Sequence, residues 1–585
     1  MSVPDNARNE RHAVRMQRKK DVVDGKIAAA ATERGVLLVN TGNGKGKSSA
    51  AFGVVARALG HGLRVAVVQF VKARKDTGEE AVLGRLPGID WHVMGEGFTW
   101  ETQNAATDAA AARAAWEVAA AYLRDPAVNL VVLDELTYAF KYQWLPLDEV
   151  LAALAARPPM QHAIVTGRAA PASGQGKTTV TAALARLHAR QGRRVRVFKC
   201  GPDFLDPQIH ALASGAPCEN IDFRMCGEDD ARWRLNRAAR DADLILVEGV
   251  MGLHDGEPNS AELARRLGLP ILLVIDAAAM AGSFGAIAWG LKNYGEGANI
   301  THVLANRTGS KHHAELAQKT LPTDIAWAGH LPRDAGCALP ERHLGLLPAG
   351  EIADLDARIE RMADALADTP AAELPPAIEF AVSPAPTFEA KLAGKTIAVA
   401  RDAAFCFLYP ANLECMEALG ARLIFFSPLA ATRLPACDAV WLPGGYPELH
   451  AAAIGANTAM AAALAAHVDA GKPLLAECGG MMACFENLIT VDGASHAAFG
   501  LLPGTTRMQA KLAGLGMLAA ELPEGRLTGH TFHYSTTETA LEPLAEAVKP
   551  NGRGGEPVYR HHRLTASYMH CYFPSNPEGV ARLFW

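Results

Sequence analysis

Two glycine-rich segments end in a lysine and a hydroxyl residue, the side chains that grip nucleotide phosphates. Residues 42–48 read GNGKGKS and residues 171–178 read PASGQGKT. In such loops glycines let successive backbone N–H groups face phosphate oxygens, and the following helix adds the positive end of its dipole. The lysine reaches the outer phosphates and the hydroxyl ligates Mg2+. In the first segment these roles fall to Gly42, Gly44, Gly46, Lys47 and Ser48; in the second they fall to Gly174, Gly176, Lys177 and Thr178. Both depart from the full pattern at its first glycine, where Thr41 and Pro171 stand. Carboxylates close later apolar runs: Asp134 and Glu135 in LVVLDE, Glu248 in LILVEG. An acid for Mg2+ belongs at such a strand end when a phosphate loop lies upstream, although a lone carboxylate there also serves as a helix cap. Cys478, in AECGGMM, follows an apolar run and precedes a helical stretch. That turn exposes a thiol and lowers its pKa through the helix N-terminus. Cys406, Cys415, Cys437 and Cys484 lack this setting and read as packing.

These groups need elements to hold them. Apolar runs alternate with helical stretches: VLLVN (36–40), RVAVVQF (64–70) and LVVLDE (130–135), then HAIVTG (162–167), RVRVFKC (194–200), LILVEG (244–249), ILLVID (271–276) and HVLANR (302–307). That rhythm predicts βαβ units and parallel sheets. The Pro-rich stretch 374–388 reads as a linker. Beyond it, runs at 396–402, 422–428, 439–445 and 473–480 begin a third α/β unit whose C-terminal part is strand-rich. The 585 residues thus divide into a basic arm and helix (1–34), a first phosphate-loop domain (35–160), a second (161–373), a linker (374–392) and a C-terminal domain (393–585).

Composition narrows the function classes. With 49% hydrophobic and 20% charged residues the chain fits globular α/β domains. A net charge of −5, from 57 basic and 62 acidic residues, argues against a nucleic-acid partner. Ten cysteines without a CxxC pair predict neither a zinc site nor a disulfide framework, and fit a reducing cytoplasm. No apolar run reaches the length of a membrane span; residues 270–281 are interrupted by Asp276. The N-terminus is polar and lacks a signal core.

From residue 160 to the C-terminus a series of motifs resembles the cobyrinate a,c-diamide synthases, in family order. They include KCGPDFLDPQIHALASG (199–215), VEGVMGLHDG (247–256), NRTGSKHH (306–313), GHLPRD (329–334), LPERHLGL (339–346), LPGGYPELHA (442–451), ECGGMM (477–482), GHTFHYS (529–535) and SYMHCYFPSNP (567–577). The resemblance implies ATP- and glutamine-dependent amidation of two carboxylates of a corrin ring. A carboxylate is a poor electrophile, so ATP would phosphorylate it before ammonia attacks. Lys177, Thr178 and a Mg2+ on Glu248 would stabilise the charge that develops. By the same resemblance Asn306 joins the nucleotide site, and Asp203 and Asp206 flank the cleft and assist metal or substrate. The third unit resembles a class I glutamine amidotransferase. Cys478 would then be its nucleophile and His570 its base, with Gly444 and Gly445 offering oxyanion N–H groups. The usual acid two residues after the base is replaced by Tyr572, which leaves a Cys–His pair, and His533 is the competing base. The implied fold class is α/β: two P-loop NTPase-like parallel-sheet domains followed by a class I glutamine amidotransferase-like domain.

Residues 11–160 resemble the P-loop type of cob(I)alamin adenosyltransferase, through RMQRKKDVVDGKIAAAATERGVLLVNTGNGKGKSSAAFG (15–53), GHGLRVAVVQFVKA (60–73), FTWET (98–102) and VVLDELTYAFKY (131–142). In that family ATP gives its 5′-deoxyadenosyl group to cobalt and releases triphosphate. The resemblance assigns phosphate and metal roles to Lys45, Lys47, Ser48 and Asp134, and implies a homodimer in which the basic arm crosses to the partner. HAIVTGRAAP (162–171) resembles both the end of this module and the start of the next. A P-loop requires its preceding strand, so residues 162–168 are expected in the second sheet, which leaves the first module truncated. Three readings follow: a synthase behind a weakened adenosyltransferase, a bifunctional enzyme, or a synthase behind a non-catalytic corrinoid-binding or assembly module. A partition-type ATPase would explain the second loop but not Cys478.

Overall fold

The apolar runs of the N-terminal part build one parallel sheet of five strands: β1 (Leu37–Asn40), β2 (Val65–Gln69), β3 (Ile89–Val93), β4 (Leu130–Asp134) and β5 (His162–Thr166), in the order β1-β5-β4-β2-β3. The computed structural model describes residues 34–40, 46–71, 77–95, 105–141, 144–167, 175–278, 280, 283–294, 296–342, 345–552 and 554–585. It divides into two units, residues 1–172 and 173–585. Successive strand residues point to opposite faces. Ala163 and Val165 therefore pack with Trp116, Ala119 and Leu123 of helix Ala105–Arg124, while Ile164 packs with Phe52 and Val55 of helix Lys47–Gly60.

β5 corrects the expectation that residues 162–168 enter the second module's sheet. It pairs with β1 from Leu37–Ala163 to Asn40–Thr166, and with β4 from Leu130–His162 to Leu133–Val165. Anchors at both ends explain this. The buried Gln161 side chain donates to the carbonyls of Tyr122, Asp125 and Val128, each at 3.0 Å. Thr166 donates to Asp134 Oδ1 at 2.7 Å and accepts from the Glu135 N–H at 2.9 Å. The run onward supplies Gly167 and Arg168, which lack the apolar side chains a central parallel strand buries.

The second unit opens with β6 (Val195–Cys200), β7 (Glu219–Ile221), β8 (Leu244–Glu248), β9 (Ile271–Asp276), β10 (Ile300–Thr308) and β11 (Ala326–Pro332). They form two parallel three-stranded sheets, β7-β6-β8 and β9-β10-β11. Among the described residues no strand joins β8 to β9. One helical layer spans both pieces: Ala183 and Leu187 of helix Lys177–Arg190 and Ile359 and Met362 of helix Leu355–Leu366 share a core with Val195, Val197, Leu304 and Ala328. A small antiparallel pair, β12 (Glu341–Arg342) and β13 (Gly345–Leu346), follows. Residues 374–388 have no regular structure.

The C-terminal fold carries a ten-stranded sheet. Its strands are β14 (Thr396–Ala400), β15 (Arg422–Phe426), β16 (Ala439–Leu442), β17 (Leu474–Glu477), β21 (Gly514–Leu522), β22 (Gly525–His533), β24 (Ala545–Val548), β25 (Gly555–His561), β26 (Leu564–Ser567) and β27 (His570–Cys571), ordered β15-β14-β16-β17-β26-β25-β24-β21-β22-β27. β18 (Phe485–Ile489), β19 (Ser495–Ala497), β20 (Leu502–Met508) and β23 (Ser535–Glu538) make a separate four-stranded sheet. β17 delivers Cys478 at its C-terminal end, and β27 delivers His570 beside His530 of β22. No single helix among the described residues is long and apolar enough to cross a membrane.

Candidate active site

In the first unit β1 and β4 run in the same direction, so their C-terminal ends share one edge of the sheet. Gly42, Gly44 and Lys45 lie outside the described residues. Gly46 adopts φ 112°, and the helix that begins at Lys47 carries Lys47 and Ser48 in its first turn. Asp134 closes β4 and is fully buried. Its carboxylate accepts from Gln69 Nε2 at 2.8 Å and from Thr166 Oγ1 at 2.7 Å. Glu135 follows at φ 63°, a left-handed setting that costs about 1–3 kcal/mol for a side chain of this kind. The loop-end helix and the strained acidic turn therefore stand at the same sheet edge, where α/β sheets bind ligands.

The second unit assembles a denser site. Gly174 lies outside the described residues. Gly176 has φ 90°, and a Cβ there would fall 2.0 Å from Asn306 Nδ2. That close approach lets the Asn306 amide donate to the Gln175 carbonyl at 2.8 Å, while Gln175 Oε1 accepts from the Asp276 N–H at 2.7 Å. Lys177 Nζ donates to the Met251 carbonyl at 2.8 Å, and Thr178 Oγ1 donates to Glu248 Oε1 at 2.8 Å. Glu248 also accepts from Lys199 Nζ at 3.0 Å and pairs with His210 Nε2; Lys199 pairs in turn with Asp206. Burial would raise the Glu248 carboxyl, but Lys199 and His210 outweigh it and hold the group at about 2. Burial, reinforced by Lys199, lowers the Lys177 ammonium. Asp203 stays apart from this cluster in its hydrogen bonds, accepting from the Leu205 and Asp206 N–H groups of its own turn at 2.8 and 3.2 Å. Sequence reasoning missed Lys199 and His210. The signal was the Lys and His inside the 199–215 motif, but their partner Glu248 lies far along the chain.

Cys478 stands at φ 46°, ψ −107°, between β17 and helix Gly479–Cys484. This is a strained strand-to-helix turn, and the flanking glycines make it possible. A Cβ on Gly479 would fall 2.9 Å from the Gly445 nitrogen, and one on Gly444 would fall 2.2 Å from His570 Cε1. Gly444, Gly445, the Cys478 turn and His570 are thereby brought into one place. The expected lowering of the thiol pKa is not found. Burial, followed by the charge of Glu448, pushes the Cys478 thiol up. Burial and the neighbouring His530 and His533 push the His570 imidazole down. Both shifts favour the uncharged forms of the two side chains. His570 Nδ1 has no hydrogen-bond partner among the described residues. His533 has both ring nitrogens engaged, with Glu556 Oε1 at 2.9 Å and the Ser535 carbonyl at 2.8 Å, whereas His570 Nδ1 is not. Cys484 is fully buried, and burial pushes the Cys406 and Cys415 thiols up to about 12.

Residues 33–174 match the family model of the ATP:corrinoid adenosyltransferase BtuR/CobO/CobP, and residues 1–27 match that of the cob(I)alamin adenosyltransferase N terminus. Residues 168–346 match the CobQ/CobB/MinD/ParA nucleotide binding domain, and residues 396–578 match the CobB/CobQ-like glutamine amidotransferase domain. A hydrogenobyrinate a,c-diamide synthase of Stutzerimonas stutzeri is 58% identical over 416 residues, 71% of this chain and 97% of that protein. The protein of the same name from Pseudomonas aeruginosa is 58% identical over 417 residues, 71% of this chain and 96% of its own length. A cobyrinate a,c-diamide synthase of Herminiimonas arsenicoxydans is 50% identical over 419 residues, 71% of this chain and 94% of its own length. With the nucleotide loop, the Cys478 turn and this extent of identity, the chain belongs to the cobyrinate/hydrogenobyrinate a,c-diamide synthase family, carried behind a corrinoid adenosyltransferase domain.

Proposed function

We propose that the chain amidates the a and c carboxylates of cobyrinate or hydrogenobyrinate, with ATP activating each carboxylate and glutamine supplying ammonia. The observation that carries this reading is the presence, in one unit, of the Lys177–Thr178 loop end and a Cys478 turn packed against Gly445 beside His570. Thr178 and Glu248 present oxygen donors 2.8 Å apart, which suits a hard cation; they would hold Mg2+. When bound, Mg2+ neutralises charge on the outer phosphates. Lys177 adds a cation to the phosphate site, and Lys199 balances Glu248 and Asp206, so that buried carboxylates do not repel the nucleotide. At the other centre the Cys478 sulfur attacks the glutamine carboxamide carbon and His570 takes the thiol proton. The Gly444 and Gly445 N–H groups receive the oxyanion. His570 returns that proton to the leaving nitrogen as the intermediate collapses and expels ammonia, and water then hydrolyses the thioester to glutamate and the free thiol. Ammonia displaces phosphate from the acyl phosphate to give the amide. The test is amidation of either corrinoid by the purified protein with ATP and glutamine. Cys478→Ala abolishes glutamate release and glutamine-driven amidation, and ammonium salts restore the amide; glutaminase activity that survives the substitution refutes the assignment.

A second activity, adenosylation of corrinoid cobalt by the first unit, is favoured by one observation. β5 completes the sheet, and its Thr166 holds Asp134 in place. Lys47→Ala should then stop triphosphate release from ATP and cob(I)alamin without altering amidation.

A further inference from the structure

Residues 201–206 reach both chemistries. At one end Asp206 pairs with Lys199, which bonds Glu248, which accepts the Thr178 hydroxyl. Two residues earlier, the Phe204 ring stands among the aromatic groups of the C-terminal fold. Its centroid lies 4.3 Å from that of Tyr409 and 4.9 Å from that of Phe407, both stacked, and 5.0 Å from that of His570, tilted. Tyr409 fixes the adjoining backbone by donating to the Pro202 carbonyl at 3.0 Å, and its hydroxyl faces His530 Nδ1 at 3.1 Å. His530 stacks on His570 with centroids 4.8 Å apart and planes 15° from parallel.

The imidazole of His570 lacks the support that a third triad member gives. Tyr572 occupies the place of the acid, and its hydroxyl turns away to donate to Asp230 Oδ2 at 2.6 Å. With Nδ1 unpartnered among the described residues, the ring is held by packing: the Gly444 backbone, His530, Phe407 and Phe204. Three of these belong to the amidotransferase fold. Phe204, whose centroid lies nearer to His570 than that of Phe407, comes from the nucleotide-binding fold, on the same short segment as Asp206.

We propose that Phe204 is a positioning residue for the glutaminase: it holds the His570 ring in the orientation needed for proton transfer and makes glutamine hydrolysis depend on how residues 201–206 are set at the nucleotide site. The proposal rests on the reading of the unit as a glutamine-dependent synthase. A misplacement of about 1 Å at a reacting group costs roughly a hundredfold in rate, so a small movement of this segment is enough to switch hydrolysis.

The experiment compares the native full-length chain with Phe204→Ala, Phe204→Leu and Phe204→Tyr. It measures glutaminase kcat and KM with ATP and corrinoid present, glutamate formed per amide, and amidation driven by ammonium chloride. In Phe204→Ala, kcat should fall roughly ten- to a hundredfold, with KM for glutamine and ammonium-driven amidation unchanged. Phe204→Leu, which keeps bulk without the ring, should show the same loss and serves where the alanine variant fails to fold. Phe204→Tyr should restore the rate. An unchanged glutaminase kcat in the alanine and leucine variants, or a parallel loss of ammonium-driven amidation, overturns the proposal and leaves the synthase reading standing. Failure of the native chain to amidate a corrinoid with either nitrogen source removes the synthase reading, and the proposal with it.

Discussion

Glu477 lies one residue before Cys478, and its carboxylate is inside the protein. Oε1 accepts from the Cys571 N–H at 2.7 Å and Oε2 accepts from Trp441 Nε1 at 2.9 Å. The strand that carries His570 is thus tied to the strand that precedes Cys478. Burial dominates over these donors and raises the carboxyl from 4.5 to about 7. Between those two values the folded state binds more protons than the unfolded state, so this contribution to stability falls as pH rises from 4.5 to 7. The change is on the order of 3 kcal/mol. Glu477→Gln should flatten the decline in stability across that window, at the cost of a constant loss from setting an amide N–H against a donor. Urea titrations at several pH values check it, and an unchanged slope in the variant refutes it. Cys478 was legible in the sequence because its signal is local, a cysteine between an apolar run and two glycines. Glu477 was not, because its partners Cys571 and Trp441 lie 94 and 36 residues away. The thiol's proton affinity escapes the sequence for a related reason. Burial, which the sequence does not display, outweighs the dipole of a six-residue helix.

Most of the elements were legible from the alternation of apolar runs and helical stretches, and every strand anticipated between residues 36 and 307 exists. The destination of β5 was not. A run such as HAIVT satisfies any parallel sheet, and only Gln161 and Thr166, bonding to Tyr122, Asp125, Val128 and Asp134, decide which one. The consequence appears in the second unit. Among the described residues β8 and β9 each pair on one side only, with β6 and β10. Ile245, Leu246 and Val247 of β8 are only half-buried, whereas all five residues of β4 are buried. Unpaired strand edges leave backbone N–H groups open to water. Amides of β8 and β9 directed away from β6 and β10, apart from the Asp276 N–H that Gln175 accepts, should therefore exchange at least roughly tenfold faster than those of β6, because local opening there needs less free energy. Hydrogen exchange resolved by residue reads this directly. Equal protection in β6, β8 and β9 would mean that a strand fills the interval in solution.

At the scale of the whole molecule, the assignment of β5 decides where the chain can be cut. Among the described residues β1 has no neighbour in its sheet other than β5, and β4 pairs with β5 on the side opposite β2. A fragment ending at residue 160 loses Ala163, Ile164 and Val165 from the two cores, along with the Gln161 bonds to the end of helix Ala105–Arg124. Burying a Val or Ile contributes roughly 1.5–3 kcal/mol, and a domain has only about 5–15 kcal/mol in all. Removing two such side chains and a central strand that pairs with both β1 and β4 therefore takes most of that margin. Residues 1–172, which retain β5, should unfold in one cooperative step in urea, whereas residues 1–160 should show no cooperative transition. Adenosyl transfer, if the first unit performs it, should survive in the longer fragment and vanish in the shorter. A cooperative transition of similar midpoint in both would show that the first sheet does not need β5. The strand would then be available to the second phosphate loop, as the sequence alone had implied.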